Sequence, residues 1–327
     1  LSHNIFISGF PRYSMETLGM VLLAMLAYSL STQPDSFATT IPSLGALALG
    51  AQRVLPAMQH SYVSWANIVG NQAYLSETLS LLEQPLPPYV SSLPPEPICL
   101  KKEIRVSRLR FRYLESVPWA LDGIDMNIPK GARIGIVGST GSGKSTLVDV
   151  LMGLIPPTEG QLIVDGQPIG DDSRRSWQRS IAHVPQAIYL ADSSFAENIA
   201  FGIPKESINL DRVREAARQA KIADFIESRT DGYNRIVGER GVRISGGERQ
   251  RIAIARALYK QASVLVFDEA TSALDNATEQ EIMETIESLD SQLTIILIAH
   301  RLTTVKKCDI IFEIANGKLV NQGLSLI

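Results

Sequence analysis

The sequence predicts an α/β domain that follows an all-α segment, and three observations support this division. The first 94 residues carry two of the chain's 31 Lys and Arg residues, so the two parts differ sharply in composition. A proline-rich stretch, "PLPPYVSSLPPEP" at 85–97, then interrupts periodic structure and predicts an extended linker. Beyond Ile98, apolar strand-like runs alternate with helical stretches, which is typical of an α/β sheet.

The composition narrows the classes of function. A length of 327 residues is enough for about two domains. The net charge of −3 provides no basic field, so no nucleic-acid partner is expected. Cys99 and Cys308 are isolated in the sequence and show neither metal spacing nor a disulfide framework, which suits a reducing compartment.

The N-terminal segment has the charge pattern of a membrane hairpin. Residues 17–34 and 36–52 are uncharged, and Asp35 alone separates them. Each run is close to the lower end of the about 17–25 residues that span a bilayer. Arg12 and Arg53 flank the pair, so the positive-inside rule places both outer ends in the cytoplasm. Two buried helices of a large soluble domain are the alternative.

These patterns predict the domain boundaries. We expect residues 1–84 to be the C-terminal part of a transmembrane domain, with spans at about 17–34 and 36–57. The second span should continue as a long cytoplasmic helix to Gln84, kinked at Pro56. After the linker, the second domain should occupy 98–327.

The strongest motif is a phosphate-binding loop. The stretch "GSTGSGKS" fits G-x-x-x-x-G-K-[ST] and lies between a predicted strand, 133–137, and a predicted helix, 144–154. Lys144 should reach the β- and γ-phosphates, and the Ser145 hydroxyl should bind Mg²⁺. The predicted ATP contacts of this motif are Gly138, Ser139, Thr140, Gly141, Ser142, Gly143, Lys144, Ser145 and Thr146.

Two adjacent carboxylates end a second apolar strand, "VLVF" at 264–267. Asp268 should hold the Mg²⁺ ion, and Glu269 should polarise a water for attack on the γ-phosphate. The carboxyl end of a strand in an α/β sheet is where a ligand crevice is expected. A simple helix N-cap pair is the alternative.

In this order, the phosphate loop, "SGGER", "VLVFDEATSALD" and "IAHRLTT" resemble the nucleotide-binding domain of an ATP-binding cassette (ABC) transporter. The resemblance covers 98–323. It implies a P-loop NTPase fold with a RecA-like core, an antiparallel β subdomain and a helical signature subdomain at about 187–258. It also implies an ATP hydrolase coupled to transport, with ATP and Mg²⁺ bound.

The resemblance assigns roles to further residues. Tyr113 matches the aromatic residue that stacks on adenine, with Phe111 as a competitor. Gln186 matches the glutamine that contacts Mg²⁺ and the attacking water and senses the membrane domain. His300 matches the histidine that holds the γ-phosphate. With Glu269, Gln186 and His300 form the predicted catalytic set.

The signature motif is implied to serve a nucleotide bound by a second chain. Ser245, Gly246 and Gly247 should begin a helix and face a γ-phosphate of the partner's ATP. Ile244 and Glu248 depart mildly from the family pattern, which more often has leucine and glutamine there. The predicted contacts in trans are Ser245, Gly246, Gly247, Glu248 and Asp275, the last from a loop at 272–275 that crosses to the partner.

Three features indicate an exporter: the fused hairpin, the loop "VGERG" at 237–241, and the likeness of the hairpin to the last two of six spans, with four spans expected before Leu1. The expected partners are a second half-transporter chain, identical or different, the lipid bilayer and a transported substrate. The expected location is the bacterial inner (cytoplasmic) membrane, with the cassette in the cytoplasm.

The substrate is less well defined by the sequence. Two stretches, "LGALALGAQRVLPAMQHSYVSWANIVG" and "VPQAIYLADSSFAENIAFG", resemble bacterial flippases that move lipid-linked oligosaccharides or related glycolipids. Peptide or multidrug export is an alternative. Two further alternatives are a soluble cassette ATPase that does mechanical work on nucleic acid or ribosomes, and a degenerate cassette that regulates another protein.

Overall fold

The structure is a computed structural model of the 327-residue chain. The chain divides into two compact units, Leu1–Ser92 and Leu93–Ile327, and this division falls within the proline-rich stretch. The residues that the structure describes are 14, 16–22, 24–29, 37–85, 94–242, 244–268, 275–299 and 305–324.

The described residues of the first unit are helical up to Leu82. Residues 16–22 and 24–29 are helical, and helix α1 (Phe37–Leu82) runs for 46 residues through both Pro42 and Pro56. The predicted turn between the two spans lies outside the described residues. Within the described part of the chain, none of the helices combines the length and apolar character that a membrane crossing requires.

The second unit begins with an antiparallel sheet. Its strands are β1 (Glu103–Phe111), β2 (Leu121–Pro129), β4 (Glu159–Val164) and the short β5 (Gln167–Pro168), in the order β2-β1-β4-β5. Alternate side chains of the first two strands are buried, which is the pattern expected of a sheet with one covered face. This sheet carries the loop on which Tyr113 lies.

A six-stranded sheet forms the centre of the second unit. Its order is β10-β9-β3-β8-β7-β6, and all neighbours are parallel except β9 and β10. The strands are β3 (Arg133–Val137), β6 (Ile181–Val184), β7 (Val264–Asp268), β8 (Thr294–Ala299), β9 (Ile310–Ala315) and β10 (Lys318–Leu324).

The core lies on both faces of this sheet. Neighbouring residues of β7 enter different hydrophobic clusters: Leu265 and Phe267 join one, while Val264 and Val266 join the other. Because both faces are covered, the inner strands must be apolar throughout, and β8 is buried at every position. This explains the unbroken apolar runs in the sequence.

Helices pack around the sheet and form the predicted helical segment. Helix α2 follows β3, α3 precedes β6, and four helices lie between β6 and β7, where 187–258 was predicted to be helical. The helices are α2 (Lys144–Leu151), α3 (Asp171–Arg179), α4 (Phe195–Ile199), α5 (Leu210–Gln219), α6 (Ala223–Glu227), α7 (Gly246–Tyr259) and α8 (Asn276–Glu287). The predicted α/β class, with its antiparallel and helical additions, is confirmed.

The strand register sets the position of the site. Val137 pairs with Ala299, and Asp268 pairs with Ile298, so β3, β7 and β8 end at nearly the same level. Val184 pairs with Phe267, which brings the end of β6 to the same edge. Residues that follow these strands are therefore neighbours at one edge of the sheet, as expected for parallel strands.

Candidate nucleotide-binding site

The loop after β3 has a backbone that requires glycine. Gly138, Gly141 and Gly143 have φ angles of +155°, +78° and +104°, which side chains rarely adopt. A Cβ atom at Gly138 would lie 2.2 Å from the Ile314 carbonyl oxygen. The loop can therefore curve tightly and present its N–H groups to a ligand, as phosphate-binding loops do.

Lys144 is held inside this loop. Its side chain is buried, and its Nζ donates to the carbonyl oxygens of Gly138 and Ser139 at 2.9 and 3.0 Å. The following residue, Ser145, is exposed. The arrangement places a fixed positive charge within the loop and a hydroxyl group on its open side.

The N-terminus of α2 is suited to an anion. Its N-cap residue, Gly143, has no side chain that could bond the first N–H groups of the helix. In addition, the buried Ser142 Oγ has no hydrogen-bond partner within the described part of the chain. Unfilled donors together with the helix dipole make this helix end a site for phosphate.

The structure separates the two aromatic candidates for adenine stacking. Phe111 is 9% exposed and belongs to a hydrophobic cluster, whereas Tyr113 is 63% exposed. The Phe111 ring meets the Tyr113 ring edge to face, with centroids 4.9 Å apart. Phe111 therefore supports Tyr113 from within the core, and Tyr113 is the ring that a base can reach.

The loop that carries Tyr113 is fixed by contacts that no sequence motif indicates. The Arg112 guanidinium lies 4.6 Å from the centre of the Trp119 ring and donates to the Glu115 carbonyl at 3.0 Å. Such a cation–π contact is recognised from three-dimensional geometry, and no spacing rule in the sequence indicates it.

The predicted Mg²⁺ ligands are all oxygen donors. Asp268 ends β7, Gln186 follows β6 by two residues, and the Ser145 hydroxyl lies at the start of α2. A hydroxyl, an amide and one carboxylate, completed by phosphate oxygens and water, fit Mg²⁺. Among the described residues, no cluster of three or more His, Cys, Asp or Glu side chains could hold a metal by itself.

Part of the predicted catalytic set lies outside the described residues. This holds for Glu269, His300 and the start of the loop at 272–275. Strand β7 ends at Asp268, immediately before Glu269, and β8 ends at Ala299, immediately before His300. Their roles stay predictions.

The signature motif begins helix α7, as the sequence predicts. Ser245 is the N-cap residue, and its Oγ accepts the Glu248 N–H at 3.3 Å. In return, the Glu248 carboxylate accepts the Ser245 N–H at 2.8 Å. Glu248, the departure from the commoner glutamine, therefore completes a capping box.

Two other residues predicted to contact ATP in trans, Gly247 and Asp275, make contacts within this chain. A Cβ atom at Gly247 would lie 2.7 Å from Thr278 Cγ2 on α8, so this glycine allows the two helices to approach. Asp275 is the N-cap of α8 and accepts from the Thr278 hydroxyl and N–H at 2.7 and 3.1 Å. The hydrogen bond from the Thr278 hydroxyl is the main cause that lowers the pKa of Asp275. The predicted contact of Asp275 with ATP stays a prediction.

The segment after Gln186 is bonded to the signature helix. Arg256 of α7 donates to the carbonyl oxygens of Tyr189 and Asn198 at 3.0 and 2.9 Å, and its guanidinium lies 4.6 Å from the Phe201 ring centre. Arg256 and Phe201 also line a cavity of about 880 Å³ that is separate from the phosphate loop. The signature helix and the residues that follow Gln186 are thus one packed body.

A glycine-rich loop with a buried lysine joins a parallel strand to a helix, and an aspartate ends another strand at the same edge of the sheet. Together these features define a P-loop nucleotide-binding domain. Residues 121–272 match the family model described as ABC transporter. An ABC transporter domain is thus present at 121–272, and the resemblance drawn from the motifs is confirmed.

Curated relatives include exporters and flippases. The chain is 37% identical over 311 residues to an ATP-dependent lipid A-core flippase of Chromohalobacter salexigens, covering 95% of this chain and 52% of the relative. It is 43% identical over 221 residues to the β-(1→2)glucan export protein NdvA of Rhizobium meliloti, covering 68% and 37%. It is 44% identical over 224 residues to the leukotoxin translocation protein LktB of Mannheimia glucosida, covering 68% and 31%.

A solved structure is also similar. A bacterial Atm1-family ABC exporter with ATP bound aligns with a TM-score of 0.67 and 31% sequence identity, covering 97% of this chain and 56% of that chain. The chain thus spans about half the length, or less, of these relatives.

Proposed function

We propose that this chain is part of an ATP-driven exporter or flippase whose cassette hydrolyses Mg-ATP. The observation that carries this proposal is the phosphate loop with its buried Lys144 at the same sheet edge as Asp268, within an ABC transporter cassette. A nucleoside triphosphate is the ligand that such a loop fits.

The residues of the site divide the work of phosphoryl transfer to water. Lys144 and the N–H groups at the start of α2 hold the phosphates, and Tyr113 supports the base. Ser145, Gln186 and Asp268 would hold Mg²⁺, which neutralises charge on the β- and γ-phosphates when bound. Glu269 would accept a proton from the attacking water, and His300 would steady the γ-phosphate.

The signature motif supports a dimer of cassettes. Ser245 is exposed at the start of α7, and α7 carries no lysine of its own that could grip a phosphate. A phosphate loop of a second chain supplies the missing lysine. Two cassettes would then face each other with two ATP molecules between them, in a homodimer or a heterodimer.

The first unit supports a membrane location. Within the predicted second span, helix α1 exposes large apolar side chains, among them Leu47, Leu49 and Val54 at 48%, 66% and 56%. A Cβ atom at Gly19 would lie 3.6 Å from Leu55 Cδ1, so the first helical stretch approaches α1. Apolar surface of this extent requires lipid or further helices as cover. We infer a hairpin in the inner membrane of a bacterium, with the cassette in the cytoplasm.

The relatives favour a lipid-linked glycan as substrate. The alignment with the lipid A-core flippase covers 95% of this chain and so extends into the first unit. The alignment with the leukotoxin translocation protein covers 68%. Because the membrane part is where a transported molecule binds, similarity that includes it weighs more for the substrate, and peptide export is the second candidate.

The hydrolysis proposal is tested by Glu269→Gln in the full-length protein. We expect Mg-ATP turnover to fall by at least about 100-fold, since a general base contributes about 10²–10⁴-fold. ATP binding should persist because the phosphate loop is intact. Glu206→Gln, an exposed position away from the site, is the matched control and should keep normal turnover. Normal turnover in Glu269→Gln would show that another group is the base.

The transport proposal needs a separate measurement. Full-length protein in proteoliposomes should flip a fluorescent lipid-linked oligosaccharide in an ATP-dependent manner, and Lys144→Ala should not. Cell fractionation separates this proposal from a soluble cassette ATPase, since recovery of the full-length protein in the soluble fraction contradicts a membrane transporter. Stimulation of turnover by peptides instead of glycolipids would favour peptide export.

A further inference from the structure

We propose that Tyr113 and Thr146 form a hydroxyl pair that fixes the base-stacking ring to the phosphate-binding helix, so that recognition of the base and of the phosphates is energetically coupled. This inference rests on the proposed ATP site and adds a positioning role for two side-chain oxygens. The ligand concerned is a purine nucleoside triphosphate.

The pair joins two separate parts of the cassette. Tyr113 follows β1 of the antiparallel sheet, whereas Thr146 lies on α2, directly after the phosphate loop. Their hydroxyl oxygens are 3.0 Å apart, a normal hydrogen-bond distance. Thr146 is buried and Tyr113 is exposed, so the hydrogen bond is partly shielded from water, which strengthens it relative to a fully exposed one.

The hydrogen bond to Thr146 restricts the side-chain motion of the exposed Tyr113 ring. An aromatic side chain that is 63% exposed would ordinarily keep much of its rotamer freedom. Here the ring is held at its hydroxyl by Thr146 and on one side by the edge contact with Phe111. A ring that is already fixed loses less entropy when a base stacks on it, so affinity rises.

The chemistry of hydroxyl groups allows the pair to persist when phosphate binds. Each hydroxyl donates one hydrogen bond and accepts up to two. When the Tyr113 hydroxyl donates to Thr146 Oγ1, the hydrogen of Thr146 stays available for a phosphate oxygen at the start of α2. Displacement of either hydroxyl oxygen then shifts the other, so that binding of the base and binding of the phosphates are coupled.

The coupling is tested by a mutant cycle in the full-length protein, with Mg-ATP affinity measured by competition against a fluorescent ATP analogue. Tyr113→Phe keeps the ring and removes the hydroxyl, and we expect it to weaken binding by about 3- to 10-fold, as for loss of one hydrogen bond. The same loss should occur in a Thr146→Ser background, which keeps a hydroxyl. In a Thr146→Val background, Tyr113→Phe should cause no further loss of Mg-ATP affinity.

The controls separate this pair from general effects. Tyr233→Phe also removes a phenol that bonds a side chain, Glu227 at 3.2 Å, and should leave ATP affinity unchanged. Thr146→Ala replaces Thr146→Val where the valine variant does not fold. The proposed pair is contradicted if Tyr113→Phe lowers ATP affinity equally in all backgrounds, or if it does not lower ATP affinity in the unaltered chain. Either result leaves the proposed ATP site unaffected. Failure of the unaltered chain to bind Mg-ATP overturns both proposals.

Discussion

Two helices of the cassette begin with the same Ser-x-x-Glu pattern, yet their serine hydroxyls are used differently. At α4, Ser194 is buried, and its hydroxyl donates to the Glu197 carboxylate at 2.6 Å while accepting the Glu197 N–H at 3.2 Å. At α7, exposed Ser245 accepts the Glu248 N–H, but its hydroxyl donates to no acceptor within the described residues.

The difference shows that the same capping pattern can either use the serine hydroxyl hydrogen within the box or leave it available to a ligand. Both boxes satisfy backbone N–H groups, which is what the local pattern requires. At α4 the hydroxyl hydrogen of Ser194 is donated to the Glu197 carboxylate within the capping box. At α7 it remains at the positive end of a 14-residue helix, where an anion is attracted. The second arrangement is the one that suits a γ-phosphate from a partner chain.

The largest expected effect comes from Ser245→Arg. A long side chain at the start of α7 would occupy the surface that a partner's nucleotide must approach, so ATP turnover should fall by at least about 100-fold. ATP binding by the chain's own phosphate loop should persist, since Lys144 belongs to a separate element. Turnover and fluorescent-ATP binding measure the two quantities, and loss of binding in this variant would contradict the division between the two sites.

A matched pair of alanine substitutions separates the two boxes. Ser245→Ala should lower turnover by about 10- to 100-fold, because a hydrogen bond to a charged group contributes about 1.5–3 kcal/mol. Ser194→Ala, like Ser245→Ala, removes an N-cap and should lower the free energy of unfolding by about 1–2 kcal/mol. The turnover of the folded Ser194→Ala protein should be normal. Urea unfolding measures the stability and an ATPase assay the turnover, and an equal effect of the two substitutions on turnover would mean that the two boxes are equivalent.

Glu248→Gln should have a smaller effect in the opposite direction. The glutamine oxygen can still accept the Ser245 N–H, so the capping box persists. Removal of a negative charge at the helix N-terminus should lower the apparent KM for ATP by about 2- to 5-fold, matching about 0.3–1 kcal/mol for a charge there. Glu197→Gln is the control and should leave KM unchanged. A raised KM in Glu248→Gln would show that the carboxylate itself contributes to the site.

The smallest expected effect is a pH dependence at α4. The hydrogen bond from the Ser194 hydroxyl is the main cause that lowers the pKa of Glu197. A lowered folded-state pKa means that the box stabilises the fold above the ordinary glutamate pKa of about 4.3 and loses this contribution as pH falls through the folded value. The stability cost of Ser194→Ala should therefore shrink in urea unfolding at about pH 3. An equal cost at neutral and acid pH would assign the effect to packing.

The strand, loop and helix around Lys144 could be predicted because each depends on neighbours in the sequence. The apolar run before Gly138 forms β3, the glycines adopt left-handed angles, and helix α2 follows. Helix α7 begins at Gly246 for the same kind of local reason, since Ser245 caps it. The strand order β10-β9-β3-β8-β7-β6 was not predictable in this way, because it depends on pairing between distant segments.

The sequence by itself determined the motif order, the position of the phosphate loop and the polarity of the two parts, since periodicity, glycine content and capping act over a few residues. Only the tertiary structure showed that Phe111 is buried and Tyr113 exposed, because burial depends on which distant side chains cover a ring. It also determined that the Ser194 hydroxyl donates within its capping box whereas the exposed Ser245 hydroxyl does not, although both serines precede a glutamate by three residues. Whether a side chain is covered is a property of long-range packing, which local spacing does not contain.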